Sequence, residues 1–185
     1  MINPFLVGRT IYLSPLSRDD ISDRYIGWLN DPEVCRDNSH ATFPNTLEKA
    51  TAYVDSVQAR DTELAFAVRL VANDEHIGNV ALNRISWVHR SAELAILIGE
   101  KEAWNKGVGS EAYQLLIQHG FDVLNLNRIA SIQTARNTGM VKVCEKNGMQ
   151  KEGILRQLLF KNGEYVDGVI YSIIRQDYAA SPRPS

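Results

Sequence analysis

The sequence predicts a single α/β domain built on one mixed β-sheet that is flanked by helices. Residues 94–98 are apolar on both faces, as a central strand is, and they lead through a glycine turn into an amphipathic stretch that begins at Ser110. Short polar turns at residues 73–75 and 162–163 separate pairs of β-rich segments, and such turns join antiparallel strands. A chain of 185 residues buries roughly 70% of its unfolded surface as one domain.

The first sixty residues predict an edge strand followed by two helices. Residues 9–13 alternate between apolar and polar side chains, and Ser17 is a suitable N-cap for the helix that follows. That helix ends at residues 30–32, because a proline disfavours helical backbone in the residue before it. Thr46 caps the second helix. The two apolar stripes are Ile21, Tyr25, Trp28 and Leu29 in the first helix and Leu47, Ala50, Val54 and Val57 in the second.

The remaining sequence predicts two hairpins, the central strand with its helix, and one further strand and helix. The predicted segments are a hairpin of 63–71 and 76–84 that Gly78 interrupts, strand 128–133, helix 139–146 with Gly148 at its C′ position, and a final hairpin of 150–160 and 165–175. The predicted domain covers residues 1–178. Residues 179–185 are small and proline-containing, so we expect a disordered tail.

The composition argues against several classes of protein. The net charge is −2 and there is no basic run, so we expect no nucleic-acid partner. The N-terminus lacks the charged start of a signal peptide, and no apolar stretch is long enough to span a membrane, so we expect a cytoplasmic protein with no membrane partner. Cys35 and Cys144 lack metal-ligand spacing and the four histidines form no paired motif, so we expect reduced thiols and no metal.

The turn at residues 105–109 predicts an anion-binding site, with an ordinary tight turn as the alternative. The first N–H groups of a helix have no partner within it, and the helix dipole is positive there. Gly107 and Gly109 allow a phosphate to approach the backbone, and Lys106 adds a cation. The pattern is neither a P-loop nor Gly-x-Gly-x-x-Gly, because Ala112 occupies the third glycine position.

Residues 98–112 resemble the pyrophosphate loop of the GNAT superfamily, the acetyl-coenzyme A-dependent N-acetyltransferases. The family signature is Gln/Arg-x-x-Gly-x-Gly/Ala, in which Gly107 and Gly109 match and Trp104 takes the first position. An aromatic residue there is similar to the RimJ/RimL-like branch, whose acceptors are protein N-termini, amino sugars and small amines. Residues 137–149 and 152–167 resemble two later segments of the family, and the three matches occur in the family's order.

The resemblance implies a GNAT-like fold whose sheet is splayed at the central strand, with acetyl-coenzyme A as co-substrate. Freed strand backbone would hold the pantetheine, and the glycine loop would hold the pyrophosphate. The implied cofactor-binding residues are Ile96, Leu97, Ile98, Gly99, Trp104, Asn105, Lys106, Gly107, Val108, Gly109, Ser110, Asn137 and Lys146. The alternatives are strand termination for Gly99, helix capping for Asn137 and a solvated cation for Lys146.

The chemistry requires a neutral amine and a leaving thiolate. A lysine-like amine is neutral in about one molecule in 2,500 at pH 7, a cost of about 4.6 kcal/mol. Glu93 is the preferred candidate for the catalytic base, since partial burial beside an apolar strand would raise its pKa; the alternative is a salt bridge to Arg84 or Arg90. The family's tyrosine acid corresponds to Cys144, which is either a poor substitute or a buried apolar residue. Water or Tyr113 are alternative acids.

The resemblance places the acceptor pocket among segment 28–43, the connection 87–89 and the final hairpin. The candidate acceptor-binding residues are Trp28, Asn30, Asn38, Trp87, His89 and Tyr165, with a core position as the alternative for Trp28. The absence of a Gly-x-Ser-x-Gly elbow favours direct transfer over a covalent acyl-enzyme.

Three functional hypotheses follow. The first acceptor class is the primary amine of a small metabolite: an amino sugar, a nucleotide-linked amino sugar or a polyamine. The alternative acceptor is the N-terminal amine of a protein, for example a ribosomal one. A hypothesis from another class is a non-catalytic acyl-coenzyme A sensor. A homodimer through a sheet edge or the final hairpin is compatible with the sequence.

Overall fold

A computed structural model describes residues 1–180. The strands are β1 (Leu6–Val7), β2 (Ile11–Pro15), β3 (Leu64–Leu70), β4 (His76–Ser86), β5 (Ser91–Ile98), β6 (Arg128–Thr134), β7 (Gln150–Lys161) and β8 (Glu164–Ile174). The helices are α1 (Asp23–Asn30), α2 (Leu47–Gln58), α3 (Val108–Asp122), α4 (Thr138–Lys146) and α5 (Arg175–Ala180), with 3-10 turns at Arg18–Asp20, His40–Thr42 and Lys101–Ala103. The strands form one sheet in the order β1-β2-β3-β4-β5-β6-β8-β7.

Each face of the sheet has its own apolar core. On one face α3 and α4 cover β4, β5 and β6, and Leu94 and Leu116 are fully buried there. On the other face α1 and α2 lie over β3, β4 and β5, where Trp28, Leu97 and Val54 pack. Successive side chains of a strand point to opposite faces, so β5 contributes to both cores. This explains why the central strand is apolar on both sides.

The sheet opens between β5 and β6, its parallel pair. The two strands pair at Ser91–Arg128, Ala92–Ile129 and Glu93–Ala130, and the pairing stops there. Beyond that point β5 stays paired with β4 as far as Ile98, and β6 stays paired with β8 as far as Thr134. A V-shaped gap therefore forms inside the sheet, and we call it the fork. The expected splay at the central strand is confirmed.

Several turns confirm their sequence signals. Asn162 and Gly163 both have positive φ, 52° and 85°, as a two-residue type I′ hairpin requires. Gly148 follows the α4 C-cap with φ 74°, the left-handed conformation that glycine adopts without strain.

Cys35 and Cys144 are free and buried.

The predicted start of the first helix is wrong, because a polar network ends the turn that Ser17 opens. The Ser17 N–H donates to Asp20 Oδ2 at 2.7 Å, and Arg69 pairs with the other carboxylate oxygen. The chain then leaves this 3-10 turn, and α1 begins after Ser22, whose hydroxyl accepts from the Tyr25 N–H at 3.2 Å.

Four smaller predictions also need correction. Residues 9–13 are not at the edge, since the short β1 pairs outside β2. Gly78 does not end its strand, which continues from His76 to Ser86, but the register with β3 shifts beside it. Leu47, at the start of α2, is 58% exposed and does not belong to the buried stripe. Of the expected tail, residues 179–180 are helical in α5, and residues 181–185 lie outside the described part of the chain.

Candidate active site

At alternate residues of β5, the backbone N–H and C=O groups point into the fork. The Gly99 N–H donates to Ile77 O on β4 at 2.9 Å, so by alternation Leu97 also faces β4 and Ile96 and Ile98 face the fork. The Trp104 Nε1–H donates to Ile98 O at 2.9 Å. The Ile96 N–H and C=O groups are therefore free to form hydrogen bonds with an extended ligand in the fork. The backbone groups of Leu97 and Gly99 point toward β4 instead.

The N-terminus of α3 is open to an anion. Gly107 is the N-cap with φ 84° and gives no side-chain cap, and the first ladder bond in the turn runs from Glu111 N to Gly107 O at 3.0 Å. In the hydrogen bonds of residues 1–180, the N–H groups of Val108, Gly109 and Ser110 have no acceptor. Three convergent N–H groups at a positive helix end form a site for phosphate.

The residues before this helix differ in what they offer. Trp104 folds back onto the strand end through its bond to Ile98, so its indole N–H is already used. Asn105 has φ 61° and turns the chain sharply. Lys106 is exposed and forms no ion pair within the described residues, which leaves its ammonium group for an approaching phosphate.

The second helix beside the fork is fixed to the first. The Asn147 amide donates to Ser110 O and to Ser110 Oγ, both at 3.2 Å, which joins the end of α4 to the start of α3. Asn137 Oδ1 accepts from the Met140 N–H at 3.1 Å, so the structure gives Asn137 the capping role. Its Nδ2 makes no hydrogen bond to the described residues. Lys146 is exposed in the last turn of α4.

A buried polar cluster lies between β6 and the two helices at the fork. Tyr113 OH is 2.9 Å from Ser131 Oγ, which donates to Gln133 Oε1 at 3.2 Å, and Cys144 Sγ is 3.7 Å from the same oxygen. Gln133 Nε2 is buried and has no hydrogen-bond partner in residues 1–180. A buried donor without a partner costs about 1–3 kcal/mol, so this amide is an unusual feature of the site.

Neither titratable member of this cluster is a competent acid for a leaving thiolate. Burial raises the pKa of the Cys144 thiol to about 11, and burial also raises the pKa of the Tyr113 phenol. Transfer of a proton from a thiol of pKa about 11 to an ordinary thiolate is uphill by roughly 3 kcal/mol. Cys144 is fully buried and acts here as a small apolar residue.

A cavity of about 310 Å³ lies on the opposite face, between the sheet and helices α1 and α2. Its floor is a row of small side chains across three strands, Ala65, Ala81 and Ala95, which are paired in register. Its walls include two phenols and three side-chain amides. The lining residues are Tyr25, Leu29, His40, Asn45, Lys49, Ala50, Tyr53, Ala65, Asn79, Val80, Ala81, Asn83, Ala95, Ile96 and Leu97.

Glu93 stands at the apex of the fork on the cavity side. It is the last β5 residue paired to β6, and alternation puts it on the same face as Ala95 and Leu97. Its carboxylate is 37% exposed and pairs with Arg84 Nη1 at 3.0 Å. The structure thus contains the ion pair that sequence reasoning gave as the alternative, in the position that a base would occupy.

His40 was missed by sequence reasoning, because an isolated histidine in an irregular segment carries no signal. It lines the cavity and is exposed to solvent, while desolvation by neighbouring groups and the charge of Lys161 lower the pKa of its imidazole. A neutral imidazole can accept a proton.

Four of the predicted acceptor residues have structural roles or lie at the surface. Trp28 is buried beneath the strand end and donates from Nε1 to Glu100 Oε1 at 2.7 Å. Asn30 exchanges hydrogen bonds with Asn45, and Asn38 donates to Val34 O at 3.4 Å. Tyr165 is exposed and packs on Phe160, with ring centroids 5.0 Å apart. These four side chains do not line the cavity.

The other two, Trp87 and His89, lie at the wrong end of the sheet. They are in the turn before β5, an eight-residue strand, so at ~3.3 Å per residue they are about 25 Å from its far end. The Trp87 Nε1–H donates to Asp61 O at 3.0 Å. The depression there holds about 370 Å³, is lined by Arg60, Asp61, Leu64, Trp87 and Leu124, and shares no lining residue with the cavity.

Residues 31–37 cross the mouth of the fork. At one side Lys101, just beyond β5, pairs with Asp31 at 2.8 Å and with Glu33 at 2.6 Å. At the other side Asp37 accepts from Thr134 Oγ1 at 2.7 Å, at the end of β6. Burial would raise the pKa of Asp37, but hydrogen bonds from Thr134 and two arginines outweigh it and lower the pKa. The segment therefore ties the two diverging strands together at neutral pH.

Residues 1–180 contain neither a candidate metal site nor a helix that could cross a membrane. No group of three or more His, Cys, Asp or Glu side chains in residues 1–180 could hold a metal ion. Within the same residues, every helix is too short or too polar to cross a membrane.

Comparison with known proteins supports the geometry. Residues 10–150 match the family model for the acetyltransferase (GNAT) domain. Spermidine N(1)-acetyltransferase of Escherichia coli strain K12 is 31% identical over 172 residues, which cover 92% of this chain and 89% of that protein.

Two solved structures share the fold. Spermidine N-acetyltransferase from Vibrio cholerae, in complex with coenzyme A and spermine, superposes with a TM-score of 0.83 at 26% identity and covers 92% of this chain and 98% of that one. RimL, a ribosomal L7/L12 α-N-protein acetyltransferase in complex with coenzyme A, gives 0.82 at 17% identity, over 91% and 96% of the chains. The chain therefore belongs to the GNAT acetyltransferase family and is an N-acetyltransferase.

Proposed function

We propose that the protein transfers an acetyl group from acetyl-coenzyme A directly to the primary amine of a small metabolite, with polyamines the first class to test. One observation carries the proposal: an open helix N-terminus and a cavity approach the same fork from opposite faces of the sheet. A thioester placed in the fork would reach the cavity, while the phosphates of its carrier would stay at α3.

The cavity favours a small acceptor. Its volume of about 310 Å³ is at the lower end for small-molecule sites, and residues of α1, α2 and segment 40–45 line it. An unbranched polyamine or a free amino sugar suits this volume better than a nucleotide-linked sugar. The spermidine acetyltransferases among the relatives support the polyamine class.

The two cysteines support direct transfer. Cys35 and Cys144 are 1% and 0% exposed, and burial raises the pKa of both thiols. A buried protonated thiol is a poor nucleophile, so neither side chain is suited to carry the acetyl group. The amine would attack the thioester carbon itself, and Glu93 or the neutral His40 would take up its proton.

The test is release of free thiol from acetyl-coenzyme A in the presence of an amine panel. The panel contains spermidine, a free amino sugar, a nucleotide-linked amino sugar, an aminoglycoside and a short peptide with a free N-terminus. We expect release with spermidine or the free amino sugar and background release with the peptide. Preference for the peptide would favour the protein N-terminus, and coenzyme A binding without any turnover would favour the acyl-coenzyme A sensor.

Glu93→Gln is expected to lower kcat by about 10²-fold while coenzyme A affinity stays unchanged, because the variant removes a proton acceptor and no phosphate contact. The deficit should shrink as the pH rises toward the pKa of the amine, since neutral amine then forms without a base. Steady-state kinetics from pH 7 to pH 10 and calorimetry with coenzyme A measure both effects.

Arg84→Gln is the matched control. It breaks the same ion pair with Glu93 but leaves the carboxylate in place, and an exposed pair contributes at most about 1 kcal/mol. Equal losses of kcat in the two variants would mean that the ion pair matters and that Glu93 is not the base.

A further inference from the structure

We propose that the side-chain amide of Gln133 is the hydrogen-bond donor for the sulfur atom of the acyl-coenzyme A substrate, and that it stabilises the thiolate as it leaves. This assignment rests on the proposed function and adds a residue that the sequence analysis did not single out. Four features of the structure support it.

The first feature is the position of Gln133 along the fork. Glu93 and Ala130 are the last paired residues of β5 and β6. Gln133 and Ile96 each lie three residues beyond that pair, on the two strands that border the fork. Ile96 is also the β5 residue whose N–H and C=O face the fork without a strand partner. A ligand strand bound to Ile96 would therefore pass Gln133.

The second feature is the direction of the side chain. Ile129 packs in the core beneath α3 and α4, and residues two and four positions later point to the same face. The contacts of Ser131 with Tyr113 on α3 and of Gln133 with Cys144 on α4 agree with this direction. Gln133 thus lies on the side of the phosphate site, opposite the acceptor cavity.

The third feature is the unused donor. Ser131 gives its single hydroxyl proton to Gln133 Oε1, and Cys144 Sγ lies 3.7 Å from the same oxygen. These two contacts place Oε1 as the acceptor and leave Nε2 with its hydrogens. Gln133 is only 7% exposed, and Nε2 has no partner in the described residues. Buried donors in native proteins nearly always have a partner, which points to a missing acceptor.

The fourth feature is the geometry of the reaction. The amine comes from the cavity side, its nitrogen bonds to the thioester carbon, and the carbon–sulfur bond breaks with its electron pair on sulfur. The carrier of the thioester would run to the phosphate site at α3, on the face of the sheet where Gln133 lies, so the sulfur would leave on that side. The proton of the amine goes to a base on the cavity side, and Gln133 transfers none. A positioned N–H is most effective where negative charge develops.

The test combines a substitution at Gln133 with a coenzyme A analogue that lacks the sulfur. It measures binding directly and does not require turnover. Gln133→Met keeps the volume and removes the donor. Calorimetry at pH ~9, where a thiolate forms, compares coenzyme A with desulfo-coenzyme A, which lacks the sulfur. We expect the wild type to prefer coenzyme A by about tenfold and the variant to show a preference near one.

Kinetics give the second readout. We expect Gln133→Met to lower kcat by about 10²-fold and to leave the KM for acetyl-coenzyme A within about threefold. The variant removes an unsatisfied buried donor but also the acceptor of the buried Ser131 hydroxyl, so we expect these two effects on the unfolding midpoint to oppose each other.

Three results would overturn the assignment. The variant could keep the preference for coenzyme A, it could weaken both ligands equally, as a contact to the pantetheine would, or it could keep its kcat. If the wild-type protein binds coenzyme A and acetylates an amine, the proposed function holds even when one of these results rejects the role of Gln133. A wild type that binds no coenzyme A would reject the proposed function, and with it this assignment.

Discussion

Gly109→Glu is expected to lower the affinity for coenzyme A by at least about 10³-fold, which corresponds to roughly 4 kcal/mol. A Cβ at Gly109 would lie 3.8 Å from Val143 Cγ2 and 3.9 Å from Ile96 Cδ1, so a longer side chain would enter the space between β5 and α4. Its carboxylate would also occupy the positive helix end that we assign to the phosphates. Calorimetry with coenzyme A measures the loss.

Gly109→Ala is the matched control, because the added methyl group makes only ordinary contacts and carries no charge. We expect its affinity for coenzyme A to stay within about threefold of the wild type. The glutamate variant should still fold, since acidic side chains stabilise the first turn of a helix. Undiminished binding by a folded Gly109→Glu protein would show that the phosphates lie elsewhere.

The elements that could be predicted are those that local rules determine. Two-sided apolarity marked β5, Asn162-Gly163 marked the last hairpin, and the glycine turn placed the start of α3 at Ser110, two residues after Val108, where the helix begins. In each case a short stretch contains the whole physical reason, either burial on both faces or a positive φ. The fold family followed from three such stretches in order, and the family model over residues 10–150 confirms it.

For the same reason, local sequence patterns indicate only the proposed phosphate side of the candidate site. A phosphate site at a helix N-terminus consists of consecutive residues. The acceptor cavity instead joins distant segments, and its floor of Ala65, Ala81 and Ala95 exists only once three strands are in register. Alanines carry no functional signal in a sequence, whereas aromatic residues such as Trp87 do. Sequence reasoning therefore favoured Trp87, which does not line the cavity.

The fork shows the limit of assigning strand residues by position alone. Sequence reasoning treated residues 96–99 as one cofactor-binding run. In the structure these residues alternate in direction: the backbone groups of Ile96 and Ile98 face the fork, whereas those of Leu97 and Gly99 face β4. Gly99 therefore needs a different physical explanation, and the structure supplies one in the packing of Trp28.

Gly99→Ala is expected to destabilise the protein by about 3 kcal/mol, the upper range for an overpacked core. A Cβ at Gly99 would overlap the indole of Trp28, with Cε2 only 2.5 Å away. The indole cannot move aside easily, because its Nε1 donates to Glu100 at 2.7 Å and its ring packs edge-on against His76 at 5.0 Å. The change in urea midpoint measures the effect.

A second substitution identifies the cause. Trp28→Ala removes the ring atoms at the point of overlap, so in that background Gly99→Ala should cost less than about 1 kcal/mol, and the two changes should be strongly non-additive. Additive losses would exclude the indole as the obstacle. Because the Gly99 backbone faces β4, the folded Gly99→Ala protein should bind coenzyme A within about threefold of the wild type. A selective loss of binding would instead return Gly99 to the cofactor site.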